Sequence, residues 1–146
     1  MGAALLDVNV LVALSWTPQQ AHRACLDWFR GHEARGWATC AITQAGCVRV
    51  LSNRAVWPGG PAPLELAQQL SAMLASPHHQ FWTCDLPYRD AALPFAGRLH
   101  GHRQITDAYL LGLAIHRGGV LVTLDRSVAA LLPRGSALAR HLLVLE

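Results

Sequence analysis

Three aspartates, Asp7, Asp107 and Asp125, are the residues of this 146-residue chain whose type and position point most directly to chemistry. Asp7 closes the apolar run AALLD and Asp125 closes VLVTLD, so each stands where a buried strand ends. Asp107 falls in the first turn of ITDAYLLGLAIHRGG, a stretch that is apolar almost all round. In open α/β sheets, ligands collect beyond the carboxyl ends of the strands. Carboxylates from three distant parts of the chain would therefore meet at one edge, and at close range they repel. A bound cation resolves that repulsion. Oxygen donors with no Cys or His constellation suit Mg²⁺ or Mn²⁺ rather than Zn²⁺. Each aspartate also has a purely structural reading. Asp7 and Asp125 can cap the helices that follow them, and Asp107 can complement a helix dipole with Thr106 as N-cap. Thr123 alternates with Asp125 along its strand, shares its side and can hydrogen-bond a carboxylate. Arg49 can hold a phosphate, pair with the aspartates, or form an ordinary salt bridge. Asp27, Glu33, Glu65, Asp85 and Asp90 lie on helix faces or in loops, where solvation accounts for them.

The elements that would position these groups read as alternating strands and helices. Strands are expected at 3–7, 37–41 (WATCA), 79–84 (HQFWTC), 120–125 (VLVTLD) and the terminal HLLVLE. Helices are expected after Asp7, from Thr17 and Pro18 to Gly36, over QAGCVRVLSN behind Thr43 as cap, from Pro63 to near Pro77, over 88–97, over ITDAYLLGLAIHRGG, and from Ser127 to Leu132. Gly118 and Gly119 stop the apolar helix. WPGGPAP at 57–63 is a loop too short to separate domains. Continuous apolar strands alternating with helices imply a parallel sheet covered on both faces, an α/β fold of one domain over residues 1–146.

Composition sets the bounds. Hydrophobic residues make up 52% of the chain, ample for one core and incompatible with disorder. No apolar run reaches the roughly 20 residues that cross a bilayer, and MGAALLDVNV lacks the basic region of a signal peptide, so a cytoplasmic protein without membrane contact is expected. The four cysteines, Cys25, Cys40, Cys47 and Cys84, form no C-x-x-C pair and read as buried free thiols. The formal net charge is +3 and all 12 basic residues are Arg, which permits nucleic-acid contact without demonstrating it. His100, His102 and Arg103, just before Asp107, read as RNA contacts or as a solvated loop. Trp16 and Trp57 read as core or as partner-facing.

Four spaced segments, LLDVNVLVAL, ITQAGCVRVLSN, GHRQITDAYLLGLA and GGVLVTLDRS, together resemble PIN-domain ribonucleases, specifically the VapC-type toxins of type II toxin–antitoxin pairs. The resemblance covers nearly the whole chain and rests on four motifs in order. It implies a single PIN domain, a three-layer α/β/α sandwich with a five-stranded parallel sheet. It implies Mg²⁺-dependent endonucleolytic cleavage of RNA, a small VapB-like antitoxin as partner, and a homodimer. Asp7, Asp107 and Asp125 match the first, third and fourth acids of the family. Asn9 matches its small polar residue two places after the first acid. The second acid is the departure, because Gln44 stands where the family usually has Glu. An amide offers a carbonyl oxygen but no charge, so Gln44 implies weaker metal binding or a PIN domain that binds RNA or a protein partner without cleaving. A haloacid-dehalogenase phosphatase with Asp7 as nucleophile needs a second Asp where Asn9 stands. That enzyme and a phosphoacceptor receiver domain both expect a Lys, which this chain lacks.

Overall fold

Short continuous apolar runs become strands, and the longer segments between them become helices. In the computed structural model, which describes residues 2–146, the order is β1 (Ala4–Leu6), α1 (Val8–Ser15), α2 (His22–His32), β2 (Trp37–Cys40), α3 (Ala41–Leu51), α4 (Pro63–Leu74), β3 (His79–Trp82), α5 (Tyr88–Ala92), α6 (Ile105–His116), β4 (Val120–Thr123) and β5 (Leu142–Val144). The five strands form one sheet in the order β3-β2-β1-β4-β5, and every pairing is parallel. From β1 the chain steps outward through β2 and β3, then returns to β1's other side for β4 and β5. The switch point between β1 and β4 is thus where a crevice opens beyond the strand ends.

The sheet's two faces bury different helices. Leu5, Ala38, Cys40, Trp82 and Leu121 pack with α5 and α6; Leu6, Trp37 and Val122 pack with α1 to α4. Adjacent strand residues divide between the two layers, as the pleat requires. Helix α6 is buried from Ala108 to Ala114, which explains why its sequence is apolar all round. It ends where Gly118 takes φ +66°, and Gly119 N–H reaches Ala114 O at 2.8 Å. The close approach of α5 to α6 requires Gly112: a Cβ there would lie 2.1 Å from Ala91 O.

Several local expectations shift. Helix α2 opens at His22 rather than Pro18, because residues 17–21 form turns and the His22 ring bonds Ala13 O at 2.7 Å, folding the chain back on the end of α1. Helix α3 opens at Ala41 with Cys40 as N-cap; Thr43 is its third residue and reaches back to accept from Cys40 N–H at 3.0 Å. Helix α6 opens at Ile105, so Thr106 lies inside its first turn and is not the cap. The 88–97 helix is cut to Tyr88–Ala92 and continues as a single 3₁₀ turn over Leu93–Phe95, and the expected helix after Asp125 is also 3₁₀, over Arg126–Leu131. Cys84 is exposed, contrary to the expectation for all four thiols, because it lies beyond the end of β3; Cys25, Cys40 and Cys47 are buried. No helix among the described residues is long and apolar enough to cross a membrane.

Candidate functional site

Asp7 leaves β1 and immediately caps α1: its Oδ1 accepts from Val8 N–H at 2.7 Å. Its Oδ2 accepts from the Thr123 hydroxyl at 2.7 Å, across the β1–β4 switch point. Thr123 is fully buried and is the hub of the site. Its Oγ1 accepts from Asn9 Nδ2 at 3.1 Å and from Asp125 N–H at 3.1 Å. Asn9 Oδ1 in turn accepts from Leu124 N–H at 3.0 Å, clamping the end of β4 to α1. Asp125 is exposed and caps the 3₁₀ turn after it through Ser127 N–H at 2.8 Å. Both strand-end aspartates thus fill the capping role and the edge position at once.

Asp107 joins them through its field. Burial, then the charges of Asp7 and Asp125, push its carboxyl up to about 6. Burial likewise pushes Asp7 up, against the opposing bonds from Thr123 and Val8, with a smaller push from Asp125. Carboxylate charges that push up Asp107, and to a smaller degree Asp7, mark a place short of positive charge. Among the described residues, no three or more His, Cys, Asp or Glu side chains are grouped so as to hold a metal ion. The oxygens of Asp7, Asp107 and Asp125 are hard donors of the kind a divalent cation takes together with water.

Gln44 and Arg49 stand on helix α3. Both line the groove between α3 and α4, and Arg49 is exposed. Gln44 Nε2 donates to Thr39 Oγ1 at 2.9 Å, and that hydroxyl lies 2.8 Å from His79 Nε2. Burial holds the His79 pKa down, which favours the neutral ring, so the chain runs Gln44 to Thr39 to His79. The amide donates into this chain, whereas a carboxylate could only accept from the Thr39 hydroxyl, which reverses the chain and requires the other His79 tautomer. Gln44→Glu is therefore expected to lower stability by about 1 kcal/mol, read from the denaturant midpoint. An unchanged midpoint would show that the chain contributes nothing.

Two features escaped the sequence. Gln104 closes the loop before α6, its Oε1 accepting from His100 N–H at 2.8 Å and Gly101 N–H at 3.2 Å while its Nε2 donates to Arg98 O at 3.1 Å. His100, His102 and Arg103 are exposed on this loop. Trp16 and Trp57 pack against one another at a tilt of 32°, ring centroids 5.7 Å apart, each half-buried. A Q three residues before the DA of a helix carries no general signal for such a knot.

The Thr123 hub makes a sharp prediction. Thr123→Val keeps the shape but removes a partner from Asp7, Asn9 and Asp125 N–H, and should cost about 1–3 kcal/mol of stability. Thr123→Ser, which keeps the hydroxyl, should lose less than Thr123→Val. Equal losses would mean the methyl, not the hydrogen bonds, matters.

A family model described as PIN domain matches residues 4–131, a span that takes in Asp7, Asn9, Asp107, Thr123 and Asp125. This chain belongs to the PIN domain family. Ribonuclease VapC44 of Mycobacterium tuberculosis is 43% identical over 129 residues, covering 86% of this chain and 88% of that protein. Ribonuclease VapC39 of the same organism is 42% identical over 126 residues, covering 86% and 91%. Ribonuclease VapC38 is 42% identical over 128 residues, covering 88% and 89%. In this PIN domain the five-stranded parallel sheet and its two helical layers agree with the three-layer architecture expected from the motifs.

Proposed function

We propose that this chain is a Mg²⁺-dependent endoribonuclease acting as the toxin of a VapBC-like toxin–antitoxin pair. The observation that carries the reading is the shared field of Asp7, Asp107 and Asp125 at the β1–β4 switch point. The names of the relatives, each a ribonuclease VapC, support the RNA substrate.

Asp7, Asp107 and Asp125 would hold Mg²⁺, and Mn²⁺ suits the same oxygens. When bound, such a cation supplies Lewis acidity toward a phosphodiester and makes water a better nucleophile. The chain's own residues prepare that site. Thr123 and Val8 N–H fix both oxygens of Asp7, Asn9 holds Thr123, and Asp125 N–H is anchored to the same hydroxyl. This preorganisation removes the cost of gathering the acids at the moment of reaction. A VapB-like antitoxin, a homodimer and a cytoplasmic location belong to the same reading.

The second reading, a PIN domain that binds RNA or a partner without cleaving, draws on Gln44 in place of an acid, its amide committed to Thr39. An RNA-cleavage assay across a Mg²⁺ titration separates the two. Cleavage that rises with Mg²⁺ and falls about a hundredfold in Asp7→Asn is the expected result. No cleavage at any Mg²⁺ concentration favours the binding-only reading. Full activity of Asp7→Asn would remove the aspartates from the chemistry. In the same titration, Gln44→Glu should leave the Mg²⁺ requirement unchanged, and a tighter requirement would return position 44 to the metal site.

A further inference from the structure

Helix α1 starts on Asp7, and its first residue, Val8, rests on α3 at Gly46. A Cβ at Gly46 would stand 2.4 Å from Val8 Cγ2, 3.2 Å from Cγ1 and 3.4 Å from Cβ, so the nearest atoms all belong to Val8. Carbon atoms settle about 3.5–4.0 Å apart. Val8 therefore fills the space that any side chain at position 46 needs. Gly46 is buried and its φ is not positive, so no backbone strain calls for glycine there. Glycine is also a poor residue for a helix interior. The close approach of Val8 is what this position serves.

Val8 sits between two residues that build the site. Its own N–H donates to Asp7 Oδ1 at 2.7 Å. Asn9, the next residue, donates through Nδ2 to Thr123 Oγ1 at 3.1 Å and accepts from Leu124 N–H at 3.0 Å. The Thr123 hydroxyl donates to Asp7 Oδ2 at 2.7 Å and anchors Asp125 N–H. Both oxygens of Asp7, and the end of β4 that carries on to Asp125, are thus set by the path of residues 7–9. The middle residue of that path is the one seated on Gly46. Val8 is β-branched and has few rotamers to escape into. Both its methyls face Gly46, so a turn that withdraws one leaves the other against an added Cβ. The strain passes to the backbone at the start of α1.

We propose that Gly46 is a positioning residue for the acid site: by leaving room for Val8 it sets the start of α1, and through it the carboxylate of Asp7 and the anchor of Asp125. Gly46 acts through Val8 and has no side chain to offer the substrate. A displacement of about 1 Å at a group that must be aligned can cost about a hundredfold in rate. The kinetic consequence rests on the ribonuclease reading; the geometric one does not, and hydrogen exchange separates them.

The test compares Gly46→Ala, Val8→Ala and the double variant, all in the full chain. Amide exchange at Leu124 and Asp125, relative to Leu110 and Leu111 in the buried part of α6, is followed without divalent cation. In parallel, kcat and KM for RNA cleavage are followed with Mg²⁺. Gly46→Ala should lower kcat about ten- to a hundredfold with KM little changed. It should also speed exchange at Leu124 and Asp125 about tenfold more than at Leu110 and Leu111. In a Val8→Ala background the added methyl has room, so the double variant should cleave and exchange within about twofold of Val8→Ala alone. Should Gly46→Ala fail to fold, the comparison of the double variant with Val8→Ala carries the test. Unchanged kcat and exchange in Gly46→Ala overturn the assignment. So does a double variant as impaired as Gly46→Ala, or exchange that rises equally at all these amides, which would make Gly46 a packing residue and nothing more. If the wild-type protein cleaves no RNA while exchange still follows the Gly46–Val8 pair, the positioning stands and the nuclease reading falls.

Discussion

Asp107→Asn should abolish most cleavage, by roughly a hundredfold or more, and at the same time make the protein more stable above pH 6. The two effects have one cause. The Asp107 carboxyl is raised from 3.8 to about 6 by burial and by the charges of Asp7 and Asp125. The folded state therefore favours the protonated form. The stability this contributes is fully present below about pH 4 and is lost as pH rises through about 6, where the native protein must carry a charge that its surroundings oppose. Asparagine never carries that charge. Because Asp107 is only half-buried, solvent screening trims the gain to about 1 kcal/mol at neutral pH. Denaturant midpoints of the two proteins should diverge between pH 4 and 7 and converge in acid. Added Mg²⁺ should raise the midpoint of the wild-type protein and much less that of Asp107→Asn. If the variant is less stable than wild type at neutral pH, the three acids do not form an electron-rich site of the kind described.

Gly112→Ala is the largest expected effect on folding. Alanine is the better helix former by about 1 kcal/mol, and at Gly31 of α2, where an added Cβ meets nothing within 4 Å, Gly→Ala should stabilise by up to that amount. At Gly112 the same methyl would stand 2.1 Å from Ala91 O and 2.6 Å from Ala91 C, both main-chain atoms that cannot swing aside. Helices α5 and α6 must part, and the net loss should be about 2 kcal/mol or more after the propensity gain. Since α6 carries Asp107, cleavage should fall further than the folded fraction does. Thermal midpoints that move in the same direction for the two glycine variants would contradict the close packing of α5 on α6.

The sheet and the acids were legible for one physical reason: buried parallel strands need uninterrupted apolar runs, and a carboxylate at the end of such a run has few reasons to be there. Alternation put Thr123 on the side of Asp125 and within the class of residues that bond a carboxylate; that the carboxylate is Asp7 follows from the β1–β4 register. Other features depend on contacts that no local pattern encodes. The Thr39–His79 pair needs the β2–β3 register, and so the partner of Gln44 could not be read from ITQAGCVRV. The start of α2 is set by His22 reaching the end of α1, which overrides the propensity of Thr17 and Pro18. The exposure of Cys84 follows from β3 stopping at Trp82, a boundary that the apolar neighbours of the thiol conceal. Gln104 works through main-chain groups of a polar loop, where sequence carries least information.

The bond from Thr123 to Asp7 also says something about time. It joins residues 116 positions apart and exists only when β1 and β4 lie in register, Leu5 opposite Leu121 and Leu6 opposite Val122. A slip of one residue would turn Thr123 to the other face and bring a leucine or valine to Asp7. Helices can form within microseconds from neighbours in sequence, whereas a pairing that closes most of the chain into one loop is among the slowest contacts to form. Asp7 and Asp125 are thus brought together only by a long-range pairing, and a chain with its helices in place and its sheet unfinished would leave them apart.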